Sequence, residues 1–129
     1  MKEPRWLLSR AVVSIHSMLL DEHGGGKGMR DQDLLASALD RPRNKFSYQP
    51  NCTLFELAAA YSFGVAKNHP FVDGNKRTAF LCGTLFLELN GLKFVAAEAD
   101  AAIVIENLAA GLITESDLAL WLEANSNRI

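Results

Sequence analysis

A polar run of nine residues, HPFVDGNKR, lies between two segments that are almost wholly apolar. The run spans residues 69–77, and the apolar segments are residues 54–66 and 78–89. It contains one histidine, one aspartate, one asparagine and two cations. Because burying a polar group is costly unless the group is paired, such a run between two core elements indicates a ligand.

The second half of this run predicts a phosphate site. Gly74 permits a close approach of the backbone, and the residues after it are expected to begin a buried helix. The first N–H groups of a helix lack intrahelical partners and carry partial positive charge, which suits an anion. Asn75, Lys76 and Arg77 begin that helix and add donors, of which arginine offers a planar fork for phosphate oxygens.

The first half of the run adds an acid and a base. Asp73 has the wrong sign for an anion site unless a divalent cation bridges carboxylate and phosphates, as Mg²⁺ commonly does. Histidine is the residue type best suited to exchanging a proton near neutral pH, so His69 is the candidate general base. These are the parts needed for phosphoryl or nucleotidyl transfer. Taken singly, each residue also fits a structural histidine, a solvated helix start or an ordinary turn.

The periodicity of apolar residues is helical nearly throughout, which predicts an all-α bundle of about six helices with the polar run between two central ones. The predicted helices cover residues 5–22, 31–41, 53–68, 75–90, 99–110 and a last stretch capped by Thr114 or Ser116. Asp31 and Thr53 are the predicted N-caps of the second and third helices. Pro42 is expected to end the second helix, leaving residues 43–52 irregular. Residues 92–95 are expected to be extended.

Composition bounds the organisation of the chain and the class of partner. With 129 residues and 49 % apolar residues, we expect a single domain over residues 1–129. No apolar run is long enough to span a bilayer, and no secretory signal is visible, so a cytoplasmic protein is expected without a membrane partner. The net charge of −2 disfavours a general nucleic-acid binder. Residues 1–77 carry 11 cations against 8 anions, which suits an anionic small ligand.

The nine-residue run resembles the signature of the Fic/Doc family, in which each of these polar types recurs at this spacing. All seven signature positions are filled: His69, Phe71, Asp73, Gly74, Asn75, Lys76 and Arg77. Residues 23–42, HGGGKGMRDQDLLASALDRP, resemble the Doc ("death on curing") toxin branch. The resemblance covers about residues 10–125 and implies the α-helical Fic fold.

The resemblance also implies a role for each residue of the signature. His69 would take the proton from a hydroxyl of a target protein, and Asp73 would hold Mg²⁺. The phosphates of ATP would be bound by four consecutive residues, Gly74, Asn75, Lys76 and Arg77. His69, Asp73 and Arg77 are the expected catalytic residues.

Two positions bear on which group is transferred. Family members that transfer AMP usually read GNGRxxR, whereas this chain has Lys76 for the glycine and Phe80 for the second arginine. Doc-like members also lack that arginine, and they transfer the γ-phosphoryl of ATP to a threonine of elongation factor Tu and arrest translation. A Doc-type kinase toxin is therefore favoured. An AMP transferase stays open because Gly74 is the choice of the wider family, where Doc has alanine.

A non-catalytic nucleotide- or protein-binding module of the same fold is a further alternative. The intact His69, Asp73 and Arg77 argue against it. Some family members carry an inhibitory helix with the pattern (S/T)xxxE(G/N), but here Ala102 stands where Ser or Thr is needed before Glu106. The chain is thus expected to lack its own inhibitor. The resemblance then implies a Phd-type antitoxin whose C-terminal segment folds onto the toxin.

Two surface segments leave alternatives open. Residues 24–30 are either a flexible helix connection or a loop in which Lys27 and Arg30 touch nucleotide or target. Residues 46–48 are either a plain surface loop or part of a flap that holds a target segment by strand addition. His16 is expected to be structural or solvated.

Overall fold

Six helices and two short strands make up the fold in the computed structural model, which describes residues 1–129. In chain order they are α1 (Ser9–His23), α2 (Gln32–Tyr48), α3 (Leu54–Asn68), α4 (Asn75–Leu89), β1 (Leu92–Phe94), α5 (Glu98–Ala109), α6 (Glu115–Ala124) and β2 (Ser126–Arg128). The predicted all-α bundle of about six helices is confirmed. No helix combines the length and the apolarity needed to cross a membrane.

The helices α3 and α4 form the centre of the bundle. A capping box begins α3: the hydroxyl of Thr53 accepts the N–H of Glu56, and the carboxylate of Glu56 accepts the N–H of Thr53. The two helices approach closely because Gly83 of α4 faces Ser62 of α3 and leaves no room for a Cβ. The Ser62 hydroxyl donates to the carbonyl of Ala79 at 2.7 Å. This close contact holds the ends of α3 and α4, and so the loop between them, in a fixed relation.

Helix α2 is longer than the sequence predicted. Asp31 is its N-cap, as expected, and accepts the N–H groups of residues 33 and 34. The helix then continues through Pro42 to Tyr48, so the predicted end at Pro42 was wrong, and of the predicted irregular stretch only residues 49–52 are irregular. Proline leaves the carbonyl of Ala38 without its helical donor. Packing outweighs this loss: Gly64 of α3 lies directly on Ala38, and Pro42 is itself buried.

The extension of α2 also overturns both alternatives for residues 46–48, the flap and the surface loop. Residues 46–48 are the last turn of α2 and are neither extended nor a loop. The Phe46 ring packs edge-on against Trp6, with ring centroids 5.9 Å apart, and Trp6 also stacks on Phe86. This segment therefore anchors the irregular N-terminal residues that precede α1.

A small antiparallel sheet follows α4. The predicted extended piece is β1, and β2, which the sequence did not suggest, pairs with it so that Leu92 is opposite Arg128 and Phe94 is opposite Ser126. Trp121 of α6 packs on Phe94 with ring centroids 5.1 Å apart. Strand β1 also lies against α4, so the sheet supports the central pair.

Candidate active site

The loop between α3 and α4 is held by hydrogen bonds to its own backbone and by α1. The Asn75 side chain is buried, and it accepts the N–H of Phe71 at 2.9 Å and donates to the Phe71 carbonyl at 3.0 Å. The buried Phe71 ring stacks on His16 with centroids 3.8 Å apart. His16 Nε2 donates to the carbonyl of Asp73 at 2.7 Å. The loop is thus fixed at both its apolar and its polar residues.

These contacts change what the Asn75 side chain offers a ligand. Both its oxygen and its nitrogen bond to Phe71, so the amide predicted to bind phosphate already holds the loop closed. The backbone N–H of Asn75 makes no hydrogen bond within the protein. The geometry therefore favours main-chain rather than side-chain binding of an anion at this position.

The N-terminus of α4 presents three unpaired backbone donors. Gly74 is its N-cap, in a left-handed conformation with φ 76° and with no side-chain cap. The N–H groups of Asn75, Lys76 and Arg77 have no acceptor, and the first that does belongs to Thr78, which donates to the Gly74 carbonyl at 3.1 Å. Uncapped donors of this kind, at the positive end of a helix, form an anion site.

Asp73 lies beside these donors as an ionised carboxylate. Hydrogen bonds from the backbone N–H of Gly74, at 2.8 Å, and of Gly26, at 3.2 Å, hold the pKa of Asp73 below its usual value, and nearby Arg77 adds to this. The fold has no cluster of three or more His, Cys, Asp or Glu that could hold a metal ion. A single carboxylate at a phosphate site does fit Mg²⁺, which is commonly bound by one or two carboxylates together with substrate phosphates and water.

His69 ends α3 in an unusual backbone conformation. Its φ of 49° and ψ of 56° are left-handed, and its N–H donates to the carbonyl of Val65. The imidazole is exposed and makes no hydrogen bond within the protein, so both nitrogens are free for a substrate. Arg30 donates to the carbonyls of His69 and Asn68, each at 2.7 Å. Two donors of the Arg30 guanidinium are thus used at the end of α3, and contact of Lys27 and Arg30 with nucleotide or target stays a prediction.

The six predicted site residues line one cleft of about 930 Å³, with walls from α1, α4 and α5; they are His69, Asp73, Gly74, Asn75, Lys76 and Arg77. Lys76 is paired across the cleft with Glu106 of α5, with its Nζ 3.0 and 3.1 Å from the two carboxylate oxygens. Arg77 is exposed and has no partner. Phe80 also lines the cleft and packs edge-on against Phe94. The place of the second arginine in the AMP-transferring pattern is therefore apolar.

Three contributors to the site were not predicted as such. His16 was expected to be structural or solvated, and it is indeed buried, but its bond to the Asp73 loop joins residues 57 apart in sequence. The glycine stretch after α1 supplies Gly26 to Asp73, and a Cβ at Gly25 would lie only 2.9 Å from Asp73 Oδ2. The sequence shows Glu106 only as part of an incomplete inhibitory pattern, which does not predict its pairing with Lys76. The run of three glycines is the one signal that pointed to a close approach here.

Comparison with known proteins identifies the family to which the chain is similar. Residues 6–87 match the model of the Fic/DOC family. The chain is 32 % identical over 89 residues to "Protein kinase doc" of Escherichia phage P1. This aligned region covers 69 % of this chain and 71 % of that protein. It is 39 % identical over 74 residues to "Toxin Doc" of Mycolicibacterium smegmatis, and this match covers 57 % of each chain, less than two thirds of that relative's length. The residues matched by the family model include those of α1, of the loop after α3 and of α4 that line the cleft.

Proposed function

The chain belongs to the Fic/DOC family, and from that premise we propose that it is a Doc-type toxin that transfers the γ-phosphoryl group of ATP to a protein hydroxyl. The observation that carries this proposal is the convergence on one cleft of a free imidazole, an ionised carboxylate and three unpaired backbone donors. A base, a metal carboxylate and fixed phosphate donors are what in-line phosphoryl transfer requires of a protein.

In the proposed reaction His69 acts as the general base. It accepts the proton of a serine or threonine hydroxyl as that oxygen forms a bond to the γ-phosphorus. The bond between the γ-phosphorus and the bridging oxygen breaks, and ADP leaves with the electron pair. The N–H groups of Asn75, Lys76 and Arg77 and the free Arg77 guanidinium stabilise the negative charge on the phosphates, because they are aimed at the cleft before substrate arrives. His69, Asp73 and Arg77 are therefore the proposed catalytic residues.

Asp73 is the residue that would hold Mg²⁺. When bound, the ion would neutralise part of the phosphate charge, as it does in other phosphoryl transferases. The Gly26 and Gly74 N–H groups keep Asp73 ionised and oriented, and this supports the assignment. Lys76 is proposed to bind phosphate after it has left Glu106.

The target and partner are proposed from the resemblance to Doc. We take elongation factor Tu as the substrate protein, with translation arrest as the result, and a Phd-type antitoxin as the partner that restrains the toxin. The relatives named "Protein kinase doc" and "Toxin Doc" support the class of activity. The choice of elongation factor Tu as the target depends on the family resemblance alone.

An AMP transferase is the second candidate, and Gly74 is the observation that favours it. Gly74 has φ +76°, and a Cβ there would meet no atom closer than 3.5 Å. The alanine of the Doc branch would thus be strained by the backbone rather than by crowding. Against this candidate, the apolar Phe80 occupies the place where AMP-transferring members have an arginine for the far phosphates, and for this reason we rank γ-phosphoryl transfer first.

The deciding experiment incubates purified elongation factor Tu with the protein, ATP and Mg²⁺, and measures the intact mass of the factor. A gain of one phosphoryl group, with label transferred from γ-labelled ATP, is the expected result. A gain of one adenylyl group, with label from α-labelled ATP, would replace the kinase by the AMP transferase. His69→Ala is the control. Modification that survives it would exclude His69 as the base, and toxicity that survives it without modification would favour the binding-module alternative.

A further inference from the structure

The conformation of His69 requires an explanation beyond its own sequence. It is the only residue other than glycine with a positive φ, at 49°. A side chain with a Cβ adopts this region at a cost in free energy, and such strain persists only where surrounding contacts determine it. Whatever fixes the His69 backbone also fixes the direction in which its imidazole leaves the end of α3.

Donors from one neighbouring segment supply those contacts. Arg30 donates through Nε to the carbonyl of His69 and through Nη2 to that of Asn68, each at 2.7 Å. The backbone N–H groups of Arg30 and Asp31 both donate to the carbonyl of Pro70, at 2.7 and 3.0 Å. The carbonyls of three consecutive residues, the last of α3 and the two that follow it, have no donors within the helix. Two consecutive residues, Arg30 and Asp31, thus satisfy them.

The chemistry of arginine suits this position. The carboxyl end of a helix carries partial negative charge, so a cation there is favourable. The planar guanidinium offers donors in a fixed fork, which here bonds the carbonyls of two consecutive residues, whereas lysine offers a point charge. Further along, Met29 pairs with Phe71, and the Val72 N–H donates to the carbonyl of Gly28 at 3.1 Å. The segment therefore follows the catalytic loop as a short antiparallel pairing.

We propose that Arg30 is a positioning residue that acts through His69: its guanidinium holds the left-handed turn that directs the imidazole into the cleft. This inference rests on the proposed function for its catalytic consequence, though not for its conformational one. Arg30 does not line the cleft, and the unpaired N–H donors of α4 lie elsewhere. Its loss is therefore expected to affect the base and to spare the binding of ATP.

The test compares Arg30→Ala and Arg30→Lys with the wild type, and Arg10→Ala serves as the control. Arg10 is an exposed arginine in the first turn of α1 that makes no hydrogen bond or ion pair through its side chain. The first readout is the intraresidue NOE between the amide proton and Hα of His69, which is strong at positive φ because the two protons are closest there. The second readout is kcat and KM for ATP in the transfer assay.

In Arg30→Ala we expect a weaker His69 NOE and a kcat lower by at least about tenfold, with KM for ATP within about twofold of the wild type. Arg30→Lys, which keeps the charge without the fork, is expected to lie between, and it decides the question if Arg30→Ala does not fold. Arg10→Ala should match the wild type in both readouts.

An unchanged NOE in Arg30→Ala would overturn the inference, whatever the activity. A weaker NOE with an unchanged kcat would overturn the positioning role. A wild-type protein that transfers no group from ATP would instead contradict the proposed function, and the NOE alone would then decide whether Arg30 sets the conformation of His69.

Discussion

At the scale of the residue, the ionisation of Asp73 makes the stability of the protein depend on pH. Its pKa is lowered in the folded state, first by the Gly74 N–H and then by that of Gly26. A depressed pKa contributes stability that is present above the unfolded value, about 3.9, and is lost as pH falls through the folded value. We therefore expect Asp73→Asn to be less stable than the wild type at neutral pH, with the difference narrowing below about pH 4.

Urea unfolding midpoints measured from neutral pH downward would check this prediction. Asp21→Asn is a suitable control, since Asp21 is an exposed carboxylate of α1 without a hydrogen bond. A gap between wild type and Asp73→Asn that stays constant into acid would contradict the assignment. The same argument predicts that loss of activity between about pH 8 and pH 6 comes from protonation of a group other than Asp73.

Glu106 gives a second prediction at this scale. Its pair with Lys76 is largely exposed, with side-chain exposures of 43 % for Lys76 and 61 % for Glu106, so it should add little to stability. It does place a negative charge where phosphate is proposed to bind. We expect Glu106→Gln to tighten ATP binding by about fivefold at low salt, with the gain shrinking as salt is added. Titration calorimetry would measure this, with Glu123→Gln of α6 as control, and equal affinities would refute it.

The candidate site shows which residues a sequence can reveal. One continuous stretch of sequence contains His69, Asp73 and the start of α4, so residue types and spacing alone were sufficient to identify them as site residues. The structure places them in one cleft. The side chain of Asn75 could not be assigned in this way. Amides serve as ligands and as structural clamps alike, and only the geometry of Phe71 distinguishes the two uses.

At the scale of the element, the α3–α4 contact gives the sharpest prediction. A Cβ at Gly83 would collide with the Ser62 hydroxyl and lie 3.1 Å from the Ala58 carbonyl. Gly→Ala within a helix normally stabilises by up to about 1 kcal/mol. Here we expect Gly83→Ala to destabilise by roughly 1–3 kcal/mol because the site is overpacked.

A double-mutant cycle with Ser62→Ala would test the cause of this effect. Removing the hydroxyl relieves the main collision, so the double variant should be more stable than the sum of the single effects implies. Free energies of unfolding in urea give the coupling. A Gly83→Ala variant that gains stability, or a cycle with no coupling, would show that the helices can move apart.

The elements also show the limits of sequence patterns. Thr53, Asp31 and Thr114 cap helices as predicted, because capping depends on residues within one turn. Pro42 was misjudged because its effect depends on a neighbour 22 residues ahead, Gly64, which packs on the turn that proline weakens. Strand β2 was missed for the same reason: its pairing with β1 spans more than thirty residues.

At the scale of the whole molecule, the cleft exists only when distant segments fold together. His16 is 57 residues from Asp73, Arg30 is 39 from His69, and Lys76 is 30 from Glu106. The unfolded chain has no such cleft, so a ligand that binds there binds the native state and not the unfolded chain. Such a ligand must raise the free energy of unfolding of the entire bundle.

ATP with Mg²⁺ is accordingly expected to stabilise the protein by about 2.7 kcal/mol at a free concentration 100 times its Kd. Chelation of the metal by EDTA should remove part of this gain, because phosphate would keep its donors on α4 and lose only the ion proposed at Asp73. Asp73→Ala should show the smaller gain with or without EDTA, since it retains the free N–H groups of Asn75, Lys76 and Arg77. Denaturant unfolding of the wild type and of Asp73→Ala, each with and without ATP, Mg²⁺ and EDTA, measures these gains in the free energy of unfolding. A metal-dependent gain that persists in Asp73→Ala would mean that the ion is held by another group, and the single-carboxylate site would be wrong.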